Sequence, residues 1–306
     1  MPATPEPRAP ALVVLNARSG AGGGGERAQQ LRELFAAAHL PAEVLLAESG
    51  EELVAGTQRA LAAGTRLVVA AGGDGTQSAV ASCLAGTDAV QGVLPMGTLN
   101  HFAKDLNLPL EVDAAIDVLA QGHVVAIDVG EVNGRIFINN SSIGLYPDIV
   151  LDREQQRKRL GRGKWQAMLA ASLDALRRFH VMSLQLEVDG KLLRRHSPFV
   201  FIGNNEYRME GFEIGARAGL TDGRLSLYTT QRTGRWGLFL LAWRALFHRL
   251  HQAQDFDMLG ARQVLIRTRR PRIRVATDGE VVKMDTPLHY KIRTGALRVV
   301  VPQSKT

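Results

Sequence analysis

Apolar runs and helix-spaced apolar positions alternate along the first 120 residues. Short runs of small and β-branched residues at 11–15, 42–47, 67–71 and 90–94 read as buried strands. Between them, 26–39, 51–63, 77–84 and 113–120 carry apolar residues at helical spacing. Pro41 opens the second strand, and Gly64 stands where a helix needs a left-handed cap. Strand and helix in this rhythm predict a parallel-type sheet with helices on both faces. From Val124 onward the pattern changes to many short strand-like segments: 124–132, 135–139, 184–188, 199–202, 225–229, 263–268, 273–276, 288–292 and 297–301. Asp189-Gly190 supplies a hairpin turn. The expected fold is an α/β N-terminal domain followed by a mainly antiparallel, β-rich C-terminal domain. The expected boundaries are a flexible proline-rich tail over 1–10, a first domain over 11–128 and a second over 129–306.

Two helical inserts interrupt the β-rich half. The front of 152–179 is basic (Arg153, Arg157, Lys158, Arg159, Arg162, Lys164), and 236–252 carries two tryptophans among leucines and cations. Cations beside an apolar face suit an anionic membrane surface; an ordinary solvated helix face gives the same pattern. The most apolar run, 236–250, is too short and, with Arg244, His248 and Arg249, too charged to span a bilayer.

The stretch with the most chemical content follows the third strand: Gly72-Gly73-Asp74-Gly75-Thr76, leading into a helix at Gln77. Three glycines in four positions allow a turn closed to other residues. Strand, glycine turn and helix start together present free backbone N–H groups and the positive end of a helix dipole, an anion site. This turn reads as a phosphate cradle for a nucleotide. Asp74 inside it is repulsive to phosphate unless a cation intervenes or backbone amides occupy the carboxylate. A plain turn built from Asp and Gly is the rival reading.

Charge adds to this picture. Lys plus Arg number 37 against 30 Asp plus Glu, a net of +7 that suits anionic partners. The single cysteine, Cys83, excludes a disulfide framework and a Cys-based metal site. The run Gly20–Gly25 matches G-x-G-x-x-G, with Glu43 or Glu48 near dinucleotide spacing, but a string of glycines meets that pattern easily. No Walker-type lysine follows either glycine turn.

The glycine turn resembles the signature of the lipid kinase superfamily, which holds diacylglycerol, sphingosine and, more distantly, NAD kinases. The soluble bacterial diacylglycerol kinase-like branch is most similar, and the resemblance runs from Asn16 to about Val300. Asn16-Ala17-Arg18-Ser19-Gly20 is similar to the family's first turn with alanine in place of proline, which implies that Asn16 and Ser19 face the nucleotide. Gly97-Thr98-Leu99-Asn100-His101-Phe102-Ala103 is similar to its second signature, with His101 where many relatives carry aspartate. There Gly97 and Thr98 can bond phosphate or sugar, and Asn100 can order the loop. The resemblance thus implies nucleotide contacts by Asn16, Ser19, Gly72, Gly73, Asp74, Gly75, Thr76, Gln77, Gly97, Thr98 and Asn100.

Thr277-Asp278-Gly279-Glu280-Val281 taken alone is a hairpin turn. The family's Asp-Gly-Glu motif matches it residue by residue, which implies Glu280 or Asp278 as the proton acceptor, with Glu280 preferred. Gly219-Leu220-Thr221-Asp222-Gly223-Arg224 resembles the segment that holds a structural Mg²⁺, with Asp222 as side-chain ligand and Gly219 and Arg224 supplying carbonyls; a simple Asp-Gly turn is the alternative. In the family the last strands return to the first domain, so the segment from about 295 is expected there. The polar clusters 139–144 and 203–205 receive no role. The resemblance implies ATP and Mg²⁺ as co-substrate and cofactor, a lipid hydroxyl as acceptor, a cytoplasmic protein in peripheral contact with anionic membrane, and no nucleic-acid partner; a homodimer is left open. Rival readings are an NAD kinase acting on a soluble dinucleotide and a non-catalytic basic protein binding anionic lipid or nucleic acid.

Overall fold

The computed structural model describes residues 10–17, 23–144, 181–210, 213–217, 219–230 and 256–303. Two compact units divide the chain, Met1–Val129 with Thr294–Thr306, and Gly130–Arg293. The first unit runs β1 (Ala11–Asn16), α1 (Gly24–Ala37), β2 (Ala42–Ala47), α2 (Gly50–Ala62), β3 (Leu67–Gly72), α3 (Asp74–Leu84), β4 (Val90–Pro95), α4 (His101–Asp105) and α5 (Val112–Gln121). Its strands form a parallel sheet in the order β2-β1-β3-β4. Successive strand residues point to opposite faces. Val13, Leu15, Val69 and Ala71 pack with Leu31 and Phe35 of α1 and with Ile116 and Leu119 of α5. Val14, Val68 and Ala70, pointing the other way, are equally buried beside α2 and α3. A strand buried on both faces must read as a continuous apolar run, which is why this sheet is visible in the sequence.

The remaining strands are β5 (His123–Val132), β6 (Arg135–Phe137), β7 (Asn140–Gly144), β8 (Met182–Val188), β9 (Lys191–Ser197), β10 (Phe199–Asn204), β11 (Tyr207–Glu210), β12 (Glu213–Arg217), β13 (Leu225–Thr230), β14 (Phe256–Ala261), β15 (Gln263–Arg267), β16 (Arg272–Thr277), β17 (Glu280–Asp285) and β18 (Leu288–Val301). In the second unit, β14-β13-β10-β7-β16-β17 form a six-stranded antiparallel sheet. A second layer sets β15 between β8 and the start of β18, with β9 beyond β8. Ile143, Val200, Leu227 and Val275 of the first layer pack with Leu186, Val264, Ile266 and Tyr290 of the second. This is a sandwich core built from the inner faces of two sheets. In the first unit, Arg298 and Val299 near the end of β18 pair in parallel with Val90 and Gln91 of β4.

The fold class agrees with the sequence reading; several elements differ from it. Helix α3 starts at Asp74, three residues early, because Gly72 and Gly73 alone complete the turn. The segments read as strands at 288–292 and 297–301 form one strand, with Gly295 at φ +58 and its amide donating to Asp128 Oδ1 at 2.9 Å. The polar cluster at 139–144 contains β7, a central strand. Ser141 and Ser142 are buried there, and Ser141 Oγ donates to the Ala276 carbonyl at 2.9 Å. No helix among the described residues is long and apolar enough to cross a membrane. The two expected helical inserts lie outside the described residues.

Candidate active site

Strands β3 and β4 are parallel neighbours, so their carboxyl ends share one edge of the sheet. Glycine follows at both ends, and the two turns touch. A Cβ on Gly97 would lie 2.4 Å from the Gly73 Cα, and one on Gly72 would lie 2.3 Å from Thr76 Oγ1. Neither position admits a side chain. Gly73 caps α3 in extended conformation, and its carbonyl accepts from the amides of Thr76 (2.9 Å) and Gln77 (3.1 Å). The amides of Asp74 and Gly75 have no partner among the described residues, as the first turn of any helix leaves them. A Cβ on Gly75 would meet nothing within 4 Å, and Gly75 is exposed at the start of α3.

Two substitutions separate the roles of these glycines. Gly97→Ala pushes a methyl into backbone that cannot yield and is expected to cost about 2–3 kcal/mol, read as a lower urea midpoint. Gly75→Ala is expected to gain about 0.5–1 kcal/mol of stability while weakening nucleotide binding, measured by titration with ATP.

Asp74 solves its electrostatic problem locally: Oδ1 accepts from the Phe102 amide at the start of α4, at 3.1 Å. Asn100, in left-handed conformation at φ 50, closes the second turn on itself. Its Oδ1 accepts from the Gly97 amide (2.9 Å) and its Nδ2 donates to the Gly97 carbonyl (3.0 Å), leaving Thr98 and Leu99 exposed at the tip. His101 is exposed at the start of α4. Asn16 donates through Nδ2 to Thr76 Oγ1 at 3.3 Å, joining the end of β1 to α3. Gln77 is buried below the turn, where Nε2 donates to the carbonyls of Ala70, Gly72 and Leu94. It braces the cradle from beneath, in a position sequence reasoning had assigned to the ligand side. Ser19 lies outside the described residues. Sequence reasoning missed Arg27, a buried side chain whose guanidinium donates to the carbonyls of Ala17 (3.1 Å) and Gly23 (3.5 Å), at either end of the first glycine-rich turn.

In the second unit, Asp278 and Gly279 form a two-residue turn between β16 and β17, with φ of 47 and 86. Two positive φ angles in succession define the mirror-image turn that Asp-Gly favours. The Asp278 carboxylate is fully engaged. Oδ2 accepts from the Ile138 amide (2.8 Å) and Oδ1 from the amides of Asn139 (2.8 Å) and Asn140 (3.0 Å). The carbonyls of the same segment are held from elsewhere in the unit. That of Ile138 accepts from Asn204 Nδ2 (2.9 Å) and Arg217 Nη1 (2.6 Å). That of Asn139 accepts from the Tyr207 hydroxyl (2.9 Å), and Asn139 Oδ1 accepts from Arg217 Nη2 (3.3 Å). A buried cation and a carboxylate therefore grip the same peptide groups. Neither Arg217 nor Tyr207 carries a sequence signal; Asn139 and Asn204 belong to the polar clusters left without a role.

Glu280 stands exposed beside this turn, 63% accessible at its side chain, and pairs with Arg135 Nη2. Arg135 Nε also donates to Thr277 Oγ1 at 2.8 Å, fixing the guanidinium against the hairpin. Beneath the hairpin, the Tyr290 hydroxyl lies 3.0 Å from Ser141 Oγ, and full burial pushes its pKa well above the usual tyrosine range. In the 219–224 turn, Asp222 folds back over Gly219, where a Cβ would stand 2.7 Å from its Oδ1. The Arg224 carbonyl accepts from the Asn205 amide at 3.1 Å. No group of three or more His, Cys, Asp or Glu side chains placed to hold a metal occurs among the described residues.

Two family descriptions match this chain. Residues 10–132 match the diacylglycerol kinase catalytic domain, and 143–301, over half the chain, match the YegS C-terminal NAD kinase beta sandwich-like domain. The chain belongs to the bacterial diacylglycerol kinase-like family. A Staphylococcus aureus (strain JH9) protein named diacylglycerol kinase is 30% identical over 165 residues, 53% of this chain and 51% of that protein. The match thus spans about half the length of these curated relatives. A solved structure described as a diacylglycerol kinase from Bacillus anthracis str. Sterne superposes with a TM-score of 0.70 at 20% identity, covering 97% of this chain and 98% of the other. Another from the same strain gives 0.75 at 23% identity, covering 96% and 98%. At such identities the likeness speaks for the fold of this family member.

Proposed function

We propose that this protein is an ATP-dependent lipid kinase that moves the γ-phosphoryl group to a lipid hydroxyl of the diacylglycerol type. The observation that carries the reading is the pair of amides at Asp74 and Gly75, without partners among the described residues, at the exposed start of α3 in a family member. Triphosphate oxygens accept from these amides, and the second turn, which Asn100 keeps closed, offers the exposed Thr98 hydroxyl. Glu280 takes the acceptor's proton as its oxygen bonds the γ-phosphorus and the bond to ADP breaks. Asp278, already accepting three amides, orients the hairpin that carries Glu280. Asp222 with the carbonyls of Gly219 and Arg224 offers an oxygen-only donor set of low charge, which suits Mg²⁺ completed by waters. When bound, Mg²⁺ offsets charge near phosphate groups. The acceptor lives in a membrane, so the net charge of +7 serves contact with an anionic surface.

The test is labelled ATP with diacylglycerol, a sphingoid base, phosphatidylglycerol and NAD. Transfer to NAD alone makes the protein a dinucleotide kinase; no transfer to any acceptor leaves a binding protein. Asp74→Asn is expected to lower transfer about tenfold or more while shifting stability by less than about 1 kcal/mol, since the amide oxygen can still accept from Phe102.

A further inference from the structure

We propose that the outer face of the β16–β17 hairpin, with the turn leading into it, is the surface that docks on an anionic phospholipid membrane. The choice of a membrane as partner rests on the lipid-kinase reading; the surface itself rests on charge and register. Among the described residues β17 is the edge of its sheet, and Lys283 and Asp285 on it are exposed. Ile273 and Met284 pack against the core, which fixes the direction of their neighbours. On the outer face Arg272 lies opposite Asp285, and Arg274 lies directly opposite Lys283. Three of these four side chains are cations, a local excess that an anionic surface complements.

The turn between β15 and β16 extends this strip. Arg269 and Arg270 are exposed there, and Arg267 is exposed at the end of β15. The turn is held in place: the Thr286 amide donates to the Pro271 carbonyl (2.9 Å), and the hydroxyls of Thr268 (2.9 Å) and Thr286 (2.8 Å) donate to the Arg270 carbonyl. The acids of this stretch are already engaged, Asp278 by amides, Glu280 by Arg135 and Asp285 by Arg272. Among the described residues Arg267, Arg269, Arg270 and Lys283 have no carboxylate partner. At strand spacing, the strip begins about 10 Å from Glu280 and runs away along the hairpin. Residues 262–287 contain no aromatic side chain, so the face lacks the stacking platforms that bind single-stranded nucleic acid. Docking here seats this hairpin on the surface that holds the acceptor, with Glu280 on its other face.

The full chain is tested by sedimentation with phosphatidylcholine vesicles, with and without phosphatidylglycerol, at low and high salt. Each cation near an anionic leaflet contributes about fivefold in affinity, so R269Q/R270Q/K283Q is expected to bind phosphatidylglycerol vesicles about a hundredfold more weakly. A variant with the same charge change on exposed residues of the first unit, R32Q/R59Q/R66Q, is expected to bind as wild type. Equal losses in the two variants, no loss in the first, or equal wild-type binding to neutral vesicles overturns the proposal. So does hairpin-dependent retention of a single-stranded oligonucleotide tighter than that of vesicles. Transfer to a water-soluble short-chain diacylglycerol is measured alongside and is expected to be unchanged in the hairpin variant. A wild type that transfers nothing sinks the kinase reading, while the vesicle data still decide the surface.

Discussion

Replacing Glu280 by glutamine is expected to lower kcat for phosphoryl transfer to a lipid by about 10²–10⁴-fold and to leave KM for ATP within about twofold. The amide keeps the size of the side chain and its ability to accept from Arg135, but it cannot take a proton. Exposed ion pairs such as Arg135–Glu280 contribute little to stability, about 0–1 kcal/mol, so the variant should fold as wild type. Steady-state kinetics with separate variation of ATP and lipid checks both halves of the expectation. Full activity in this variant would move the proton acceptor to another residue.

Asp278→Ala is expected to unfold more easily by about 3–5 kcal/mol, a large part of the stability of an ordinary domain. The change strips three backbone amides of their acceptor, in a segment whose carbonyls are held by Arg217, Asn204 and Tyr207. It also places a Cβ without a polar side chain at φ 47, a conformation that Asp and Asn tolerate better. Asp278→Asn keeps one carbonyl acceptor and the backbone preference, and should lose about half as much. Urea titrations give the comparison. A loss below about 1 kcal/mol for alanine would mean that Arg217, Asn204 and Tyr207 hold the 138–140 segment by themselves.

These expectations draw unequally on sequence and on tertiary structure. The parallel sheet was legible because strands buried on both faces must be apolar throughout, and the helices between them must show an apolar stripe. The two glycine turns were legible because only glycine permits the approach of Gly73 to Gly97, so the requirement is written in residue type. Strands β9, β14 and β17 were not read from the pattern. Each has one solvated face or lies at an edge, as the exposed Leu192 and the cations of β17 show. Central β7 was not read as a strand because Ser141 and Ser142 bury their side chains in a sheet that the local sequence does not announce.

Fold class, the glycine turns, the Asp-Gly hairpin and the oxygen-bearing side chains near them are all readable from the order of residues. Each of these depends on a residue and its near neighbours along the chain. Only the tertiary structure decided what those side chains do. It turned Gln77 inward, gave Asp74 the Phe102 amide, saturated Asp278 with the 138–140 segment and left Glu280 outside with Arg135. Hydrogen bonds between residues 5 to 145 positions apart made those assignments, and the spacing of motifs along the chain carries no record of them.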